Sequence, residues 1–286
     1  MSVSAQTQIT VPVVAIVIGA GALHAVWNAI AKSVEDRVVV FALIGVAATL
    51  GGGAALALTG LPYRAAIGFA VVSAAIHIGY DLGLMNSYRL GAFNQVYPIA
   101  RGTSPLLVAF AAYFLAGEHL GAIPLAGVAI LAAGLASLAL SSGRLTSSEL
   151  PAIGAAVLTG VAIAAYTVVD GLGVRRAHDP LAYAGLLFLL QGPVFPVVAA
   201  VRRPGLTWLT GPTAAKGLLA GALSLIAYGI VLWAQTRAPL AEVAAIRETS
   251  VVFAALIGMK LFAERFGTRR LAAAVLVAAG IVLISA

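Results

Sequence analysis

The sequence predicts an all-α polytopic membrane protein, with about ten transmembrane helices in two inverted five-helix repeats. Three observations carry that expectation. Hydrophobic residues fill 62% of the 286 positions and charged residues only 9%, whereas a water-soluble domain carries about 25% charged residues. Apolar runs of about 20 residues, the length needed to cross a hydrocarbon core of roughly 30 Å, follow one another along the whole chain. A polar tetrad also recurs between the two halves.

The runs lie at 9–31, 38–59, 65–88, 92–116, 122–140, 150–172, 180–201, 214–235, 239–262 and 271–286. The breaks between them, such as 61–64 and 263–270, are short. Successive spans are therefore antiparallel neighbours, with no room for a soluble domain. The longest polar stretch, 141–149, falls at the middle of the chain and divides it into units 1–142 and 143–286. With 31 glycines among abundant Ala, Leu and Val, the helices can pack closely in lipid. The alternating pattern of a membrane β-barrel is absent. Residues 1–10 hold no Lys or Arg, so the first run reads as a span rather than a cleaved signal.

Composition excludes several classes. Seventeen basic and 10 acidic residues are too few to cover a soluble globule of this length. The net charge of +7 is spread singly between apolar blocks rather than in a stripe, which argues against nucleic-acid binding. The chain has no cysteine, so it has neither disulfides nor thiolate metal sites. No metalloprotease His pair, phosphate-binding loop or nucleophile elbow occurs. Gly171 and Gly173 make a two-glycine coincidence at a span end, not a nucleotide fingerprint. No cofactor and no ATP-driven chemistry are expected of this chain. An intramembrane enzyme would lack a nucleophile or metal set, and a membrane scaffold would leave the buried charges unexplained.

The halves resemble each other. Arg101, Thr103 and Ser104 recur as Arg247, Thr249 and Ser250, 146 residues on; the same offset carries Glu118 onto Glu264 and Gly134 onto Gly280. An offset of 139 places Trp27 and Asn28 on Tyr166 and Thr167. Five spans per half force opposite orientations, the inverted repeat of many secondary transporters.

The order and spacing of these tracts resemble the ten-span, EamA-type branch of the drug/metabolite transporter superfamily. The resemblance is carried by His24, Trp27 and Asn28; by the tract from Val96 through Tyr97, Pro98 and Arg101 to Gly102; and by Gly117 and Glu118. It continues in Tyr166, Thr167 and Asp170, in Ala245 through Arg247 and Glu248 to Ser250, and in Ala263, Glu264 and Arg265. It implies two inverted five-helix repeats around a central cavity and a secondary active transporter working by alternating access in a lipid bilayer; the expected location is a bacterial inner (plasma) membrane, and the oligomeric state, monomer or homodimer, stays open. It does not name the small-molecule substrate, because membership of a superfamily does not fix function.

Several ionisable residues lie deep in the spans, where a charge costs at least ~2.5–3.5 kcal/mol. Arg101 and Arg247 each sit near mid-span on symmetry-related helices, and two guanidiniums there suit a carboxylate, phosphate or phosphonate. The competing reading has them paired with Asp81 or Glu248 as helix locks. Pro98 and Pro105 flank Arg101, and a broken helix at mid-depth is tolerated where it lines a cavity. Adjacent helical positions do not face each other, so Arg247 and Glu248 are expected to address different partners. Trp27, Asn28, Tyr97 and Tyr228, with Tyr166, are candidates for the substrate wall. His77 and Asp81, one turn apart, are candidates for proton coupling. Asp170, near a span end, needs no more than exposure or helix pairing.

These residues give an expected substrate that is small, polar and anionic or zwitterionic, such as an amino acid or aminophosphonate. A zwitterion would meet Arg101 or Arg247 with its anionic end, and Glu248 or Asp81 with its amine. The alternative is a proton-coupled exporter of cationic or lipophilic compounds, with structural arginines. Counting basic residues in alternate loops gives eleven against four and favours termini outside the cell, whereas the resemblance implies termini inside.

Overall fold

The computed structural model describes residues 9–90, 93–139, 150–202, 205, 207–262 and 268–285. Among them the regular structure is helical, with no strand. The helices are α1 (Val11–Lys32), α2 (Arg37–Thr59), α3 (Arg64–Leu90), α4 (Phe93–Leu115), α5 (Ala122–Ala139) and α6 (Leu150–Val174). The second half continues with α7 (Pro180–Gln191), α8 (Val194–Arg202), α9 (Gly211–Gln235), α10 (Leu240–Arg247), α11 (Ser250–Phe262) and α12 (Thr268–Ile284). Six of the described segments are long and apolar enough to cross a membrane: Val11–Lys32, Arg37–Thr59, Arg64–Gly83, Ile153–Val174, Pro180–Arg202 and Gly211–Gln235. Ala122–Ser137 and Val275–Ile284 are shorter apolar helices. The expected division between 142 and 143 falls outside the described residues.

Local chemistry places the helix ends. Asp36 caps α2 by accepting from the backbone N–H of Val38 at 3.1 Å and Val39 at 3.2 Å. Asp179 caps α7, accepting from Leu181 at 2.8 Å, with Pro180 in the first turn, where its missing N–H costs nothing. Gly192 and Pro193 separate α7 from α8. Glu248 and Thr249 interrupt the ninth span, each donating to a carbonyl three residues back at 3.0 Å. The expected break around Pro98 and Pro105 does not occur, because α4 runs unbroken through both. The two prolines cost backbone bonds locally, but the flanking helices α5 and α6 hold the helix in line.

Packing follows a regular scheme. α1 lies against α9, α10 and α11, while α6 lies against α3 and α4. α2 pairs with α7 and α8, and α5 pairs with α12. Glycines permit the last two approaches. A Cβ on Gly127 would fall 2.7 Å from the Gly280 carbonyl oxygen, and one on Gly280 would fall 2.7 Å from that of Gly127. Across α2 and α7, a Cβ on Gly52 would fall 2.7 Å from the Gly185 oxygen. With lipid tails as apolar as the side chains, such backbone contact is what holds helices together.

Candidate binding and coupling site

Charged and polar side chains that the bilayer would reject gather where α1, α3, α4, α6, α7, α9 and the α10–α11 break converge. Arg101 of α4 and Arg247 are each 3% exposed and Glu248 is fully buried. Arg101 Nη1 donates to both carboxylate oxygens of Glu248, at 3.2 and 3.3 Å. Its Nη2 meets Nε2 of His24 on α1. Arg247 Nη2 lies 3.5 Å from Glu248 Oε1. The sequence expectation that Arg247 and Glu248 part company is therefore corrected. That rule holds inside a helix, and here the helix ends between them.

Donors outnumber acceptors in this cluster. One carboxylate faces two guanidiniums. Trp27 Nε1 donates to His24 Nδ1 at 3.2 Å, so a donor lies against each ring nitrogen, yet a neutral imidazole accepts at only one. Arg247 is the least satisfied member: its Nε and Nη2 are buried without a hydrogen-bond acceptor. Asn28 turns its amide back to the His24 carbonyl at 2.8 Å, which sets the helix surface beneath the imidazole.

An aromatic bridge joins this cluster to a second one. The Arg247 guanidinium carbon stands 6.0 Å from the Tyr166 ring centre, and Tyr166 stacks on His77 with centroids 4.0 Å apart. His77 Nδ1 lies 3.0 Å from the Ser73 carbonyl oxygen and 3.1 Å from its hydroxyl. Beyond them Asp170 is fully buried. Its carboxylate accepts from Tyr183 at 2.9 Å, from Tyr228 and from Ser73. The expected contact of His77 with Asp81 is not made. His77 packs on Ser73, Tyr166 and Tyr228 instead, because the packing of α3 against α6 turns that face inward. Asp81, one turn on, is partly exposed.

The sequence missed Asp170, Ser73 and Tyr183. The signals present were Asp170 one turn after Tyr166 and Ser73 one turn before His77. Tyr228, expected in the wall, donates its hydroxyl to Asp170. The Tyr97 side chain lies outside the described residues, as does that of Glu264.

A third group lies near Ile9 and Ile284, which share an apolar cluster with Leu120 and Ala238. Glu118, just after α4, pairs with Arg175 at the end of α6 at 2.8 Å, and accepts from the Leu240 N–H at 2.8 Å. Arg175 also donates to the carbonyls of Gln235 at 2.7 Å and Ala238 at 2.9 Å. Three loops are thus tied together at one mouth.

The described cavity of about 800 Å³ lies elsewhere, between α1, α2, α7 and α9. Ala47, Gly51, Leu225, Ile226 and Trp233 are among its walls, which are apolar except near Asp179. The sequence leads to the expectation of a pocket among the first, third, fourth, sixth, eighth and ninth spans with Arg101 or Arg247 exposed to it; the described cavity shares the first and eighth spans with that set, and neither arginine is among its lining residues. Both guanidiniums are enclosed, because Glu248 and His24 draw the helices in around them.

A buried, donor-rich polar cluster inside a bundle of long apolar helices marks an integral membrane protein. Residues 150–286 match the model of the EamA-like transporter family, a domain of the drug/metabolite transporter superfamily. That family consists of membrane transporters of small molecules. A solved structure described as "Crystal structure of protein" is similar in fold over 96% of this chain and 97% of its own, with a TM-score of 0.74 and 17% identity. No curated protein matches the sequence.

Proposed function

We propose that the protein is a secondary active transporter of a small anionic or zwitterionic metabolite, an amino acid or aminophosphonate, working by alternating access in a bacterial inner membrane. One observation carries the reading: Arg247 has two buried N–H groups without acceptors in a cluster with a surplus positive charge. An unsatisfied buried charged donor is costly, and a carboxylate or phosphonate supplies the missing acceptors. Arg101, held by Glu248 and His24, shapes the site from the opposite helix, with Trp27 and Asn28 on its α1 side. Glu248 is the nearest carboxylate for an amine.

Alternating access needs two related halves, and the packing scheme supports them. Exchanging α1 with α6, α3 with α9, and α4 with α10 and α11 maps the contacts of one half onto those of the other, with α2–α7 and α5–α12 lying across the middle. The starts of α1 and α6 are 139 residues apart and those of α5 and α12 are 146 apart, the offsets that the repeated motifs have. The alternative, proton-coupled export of lipophilic or cationic compounds, draws on the apolar cavity beside α2 and α9.

Thermal unfolding of the purified protein against amino acids, phosphonates, phosphate, carboxylates and organic cations separates the two. Stabilisation by anions or zwitterions, lost in Arg247→Gln, is expected. A response confined to cations or lipophilic compounds and retained in Arg247→Gln selects the alternative.

A further inference from the structure

We propose that His77, Ser73 and Asp170 form a proton-binding relay, so that the proton enters this protein at a pair of helices, α3 and α6, rather than at His77 and Asp81 along one helix. Asp170 is fully buried, and no salt bridge to it is found among the described residues. Three hydroxyls from three helices hold it: Ser73 of α3, Tyr183 of α7 and Tyr228 of α9. Removing a carboxylate from water costs several kcal/mol after relaxation, and a neutral-donor cradle offsets only part of that. Such a group is poised to take a proton.

The geometry also supplies a route. His77 Nδ1 faces both the Ser73 carbonyl and the Ser73 hydroxyl, which assigns the ring proton to Nδ1 and leaves the hydroxyl hydrogen for Asp170. A proton arriving on the other ring nitrogen lets Nδ1 release its own to Ser73 Oγ, whose hydrogen passes to the Asp170 carboxylate. One proton is bound in all. The imidazole ends neutral as its other tautomer, and the carboxylate ends as a neutral acid. The groups facing Asp170 are His77 from α3, Tyr183 from α7 and Tyr228 from α9, with Tyr166 on its own helix. Arg247 at the end of α10 and Arg101 of α4 stand beyond Tyr166.

Charge counting links the relay to the anion site. Arg101, Arg247 and Glu248 sum to one positive charge, which Asp170 balances across the Tyr166–His77 stack. An anion beside Arg247 removes that balance and favours a proton on the relay; by linkage the proton favours the anion. This coupling role rests on the anion reading above, whereas protonation of Asp170 does not.

Infrared difference spectroscopy of the reconstituted protein, titrated from alkaline to acid without substrate, tests the site. A buried carboxylic-acid C=O band is expected, lost in Asp170→Asn and kept in Asp81→Asn. In Ser73→Ala the band should appear more slowly after a pH jump. Tyr183→Phe and Tyr228→Phe, each removing one donor from the carboxylate, should move its midpoint to higher pH. These two variants carry the test if Asp170→Asn does not fold. No band in the native protein, a band indifferent to Asp170→Asn, or midpoints unmoved in both tyrosine variants overturns the proposal. A normal band in a protein whose Arg247 binds no anion rejects the anion reading alone.

Discussion

Arg101 on α4 and Glu248 at the α10–α11 break face each other at 3.2 Å, one 3% exposed and the other fully buried. The pair joins side chains 147 residues apart in the chain, buried where a lone charge is costly. Removing one partner from a buried ion pair costs about 3–5 kcal/mol, whereas replacing both with apolar groups of similar volume is often nearly neutral. Arg101→Met and Glu248→Leu should each lower the unfolding temperature sharply, and the double variant should lose much less than the two losses combined. Additive losses in thermal unfolding would mean that the two side chains act separately.

The Arg247 site predicts a ligand effect with a sign and a size. A compound that binds only the folded protein, at roughly 100 times its dissociation constant, stabilises by about 2.7 kcal/mol. Arg247→Lys should abolish this response, because a single ammonium cannot reproduce the planar fork of a guanidinium. Calorimetry of unfolding with and without the best ligand from the screen measures it. Full retention in Arg247→Lys would reject bidentate recognition.

The relay and the anion site together predict a pH dependence. If ligand and proton bind together, affinity should rise as pH falls through the midpoint of the Asp170 band, and Asp170→Asn should flatten the dependence. Titration calorimetry at several pH values, in buffers of different ionisation enthalpy, counts the protons taken up per ligand. A count of zero would separate the two sites.

Glu118 and Arg175 predict a gate where the three loops are tied together. Charge-assisted bonds contribute about 1.5–3 kcal/mol each, so removing one should raise the open population roughly 10- to 100-fold. The chain has no cysteine, so Ala244→Cys, at a fully buried position of α10, gives a clean reporter. Maleimide should modify it faster when Glu118→Gln is added. An unchanged rate would show that this clasp does not govern opening.

The glycine contact of α5 with α12 predicts a steric cost. Gly127→Leu, set against the Gly280 backbone, should destabilise by about 1–3 kcal/mol or more through overpacking. Gly19→Leu, with nothing within 4 Å of an added Cβ, should be nearly silent in the same unfolding assay.

The sequence by itself determined the class of this protein, because partitioning into lipid depends on composition and run length, which are local. Low charge, apolar runs and short breaks leave helices in a bilayer as the only way to satisfy the backbone. Arg101, Arg247 and Glu248 were legible as site residues for a related reason: a charge in an apolar run is an anomaly wherever the run folds. The partners were not legible. Which face of α3 meets α6, and hence that His77 turns to Ser73 and Tyr166 while Asp81 does not, depends on the packing of helices that all look alike in sequence. The α10–α11 break brings Arg247 and Glu248 into one site although helical geometry separates neighbours, and α4 stays whole although it carries two prolines. Asp170 looked like an ordinary span-end charge until Tyr183 and Tyr228 arrived from α7 and α9. Those contacts link positions far apart in the chain, and their geometry is fixed by close backbone packing at residues such as Gly127 and Gly280, which only the tertiary structure decides.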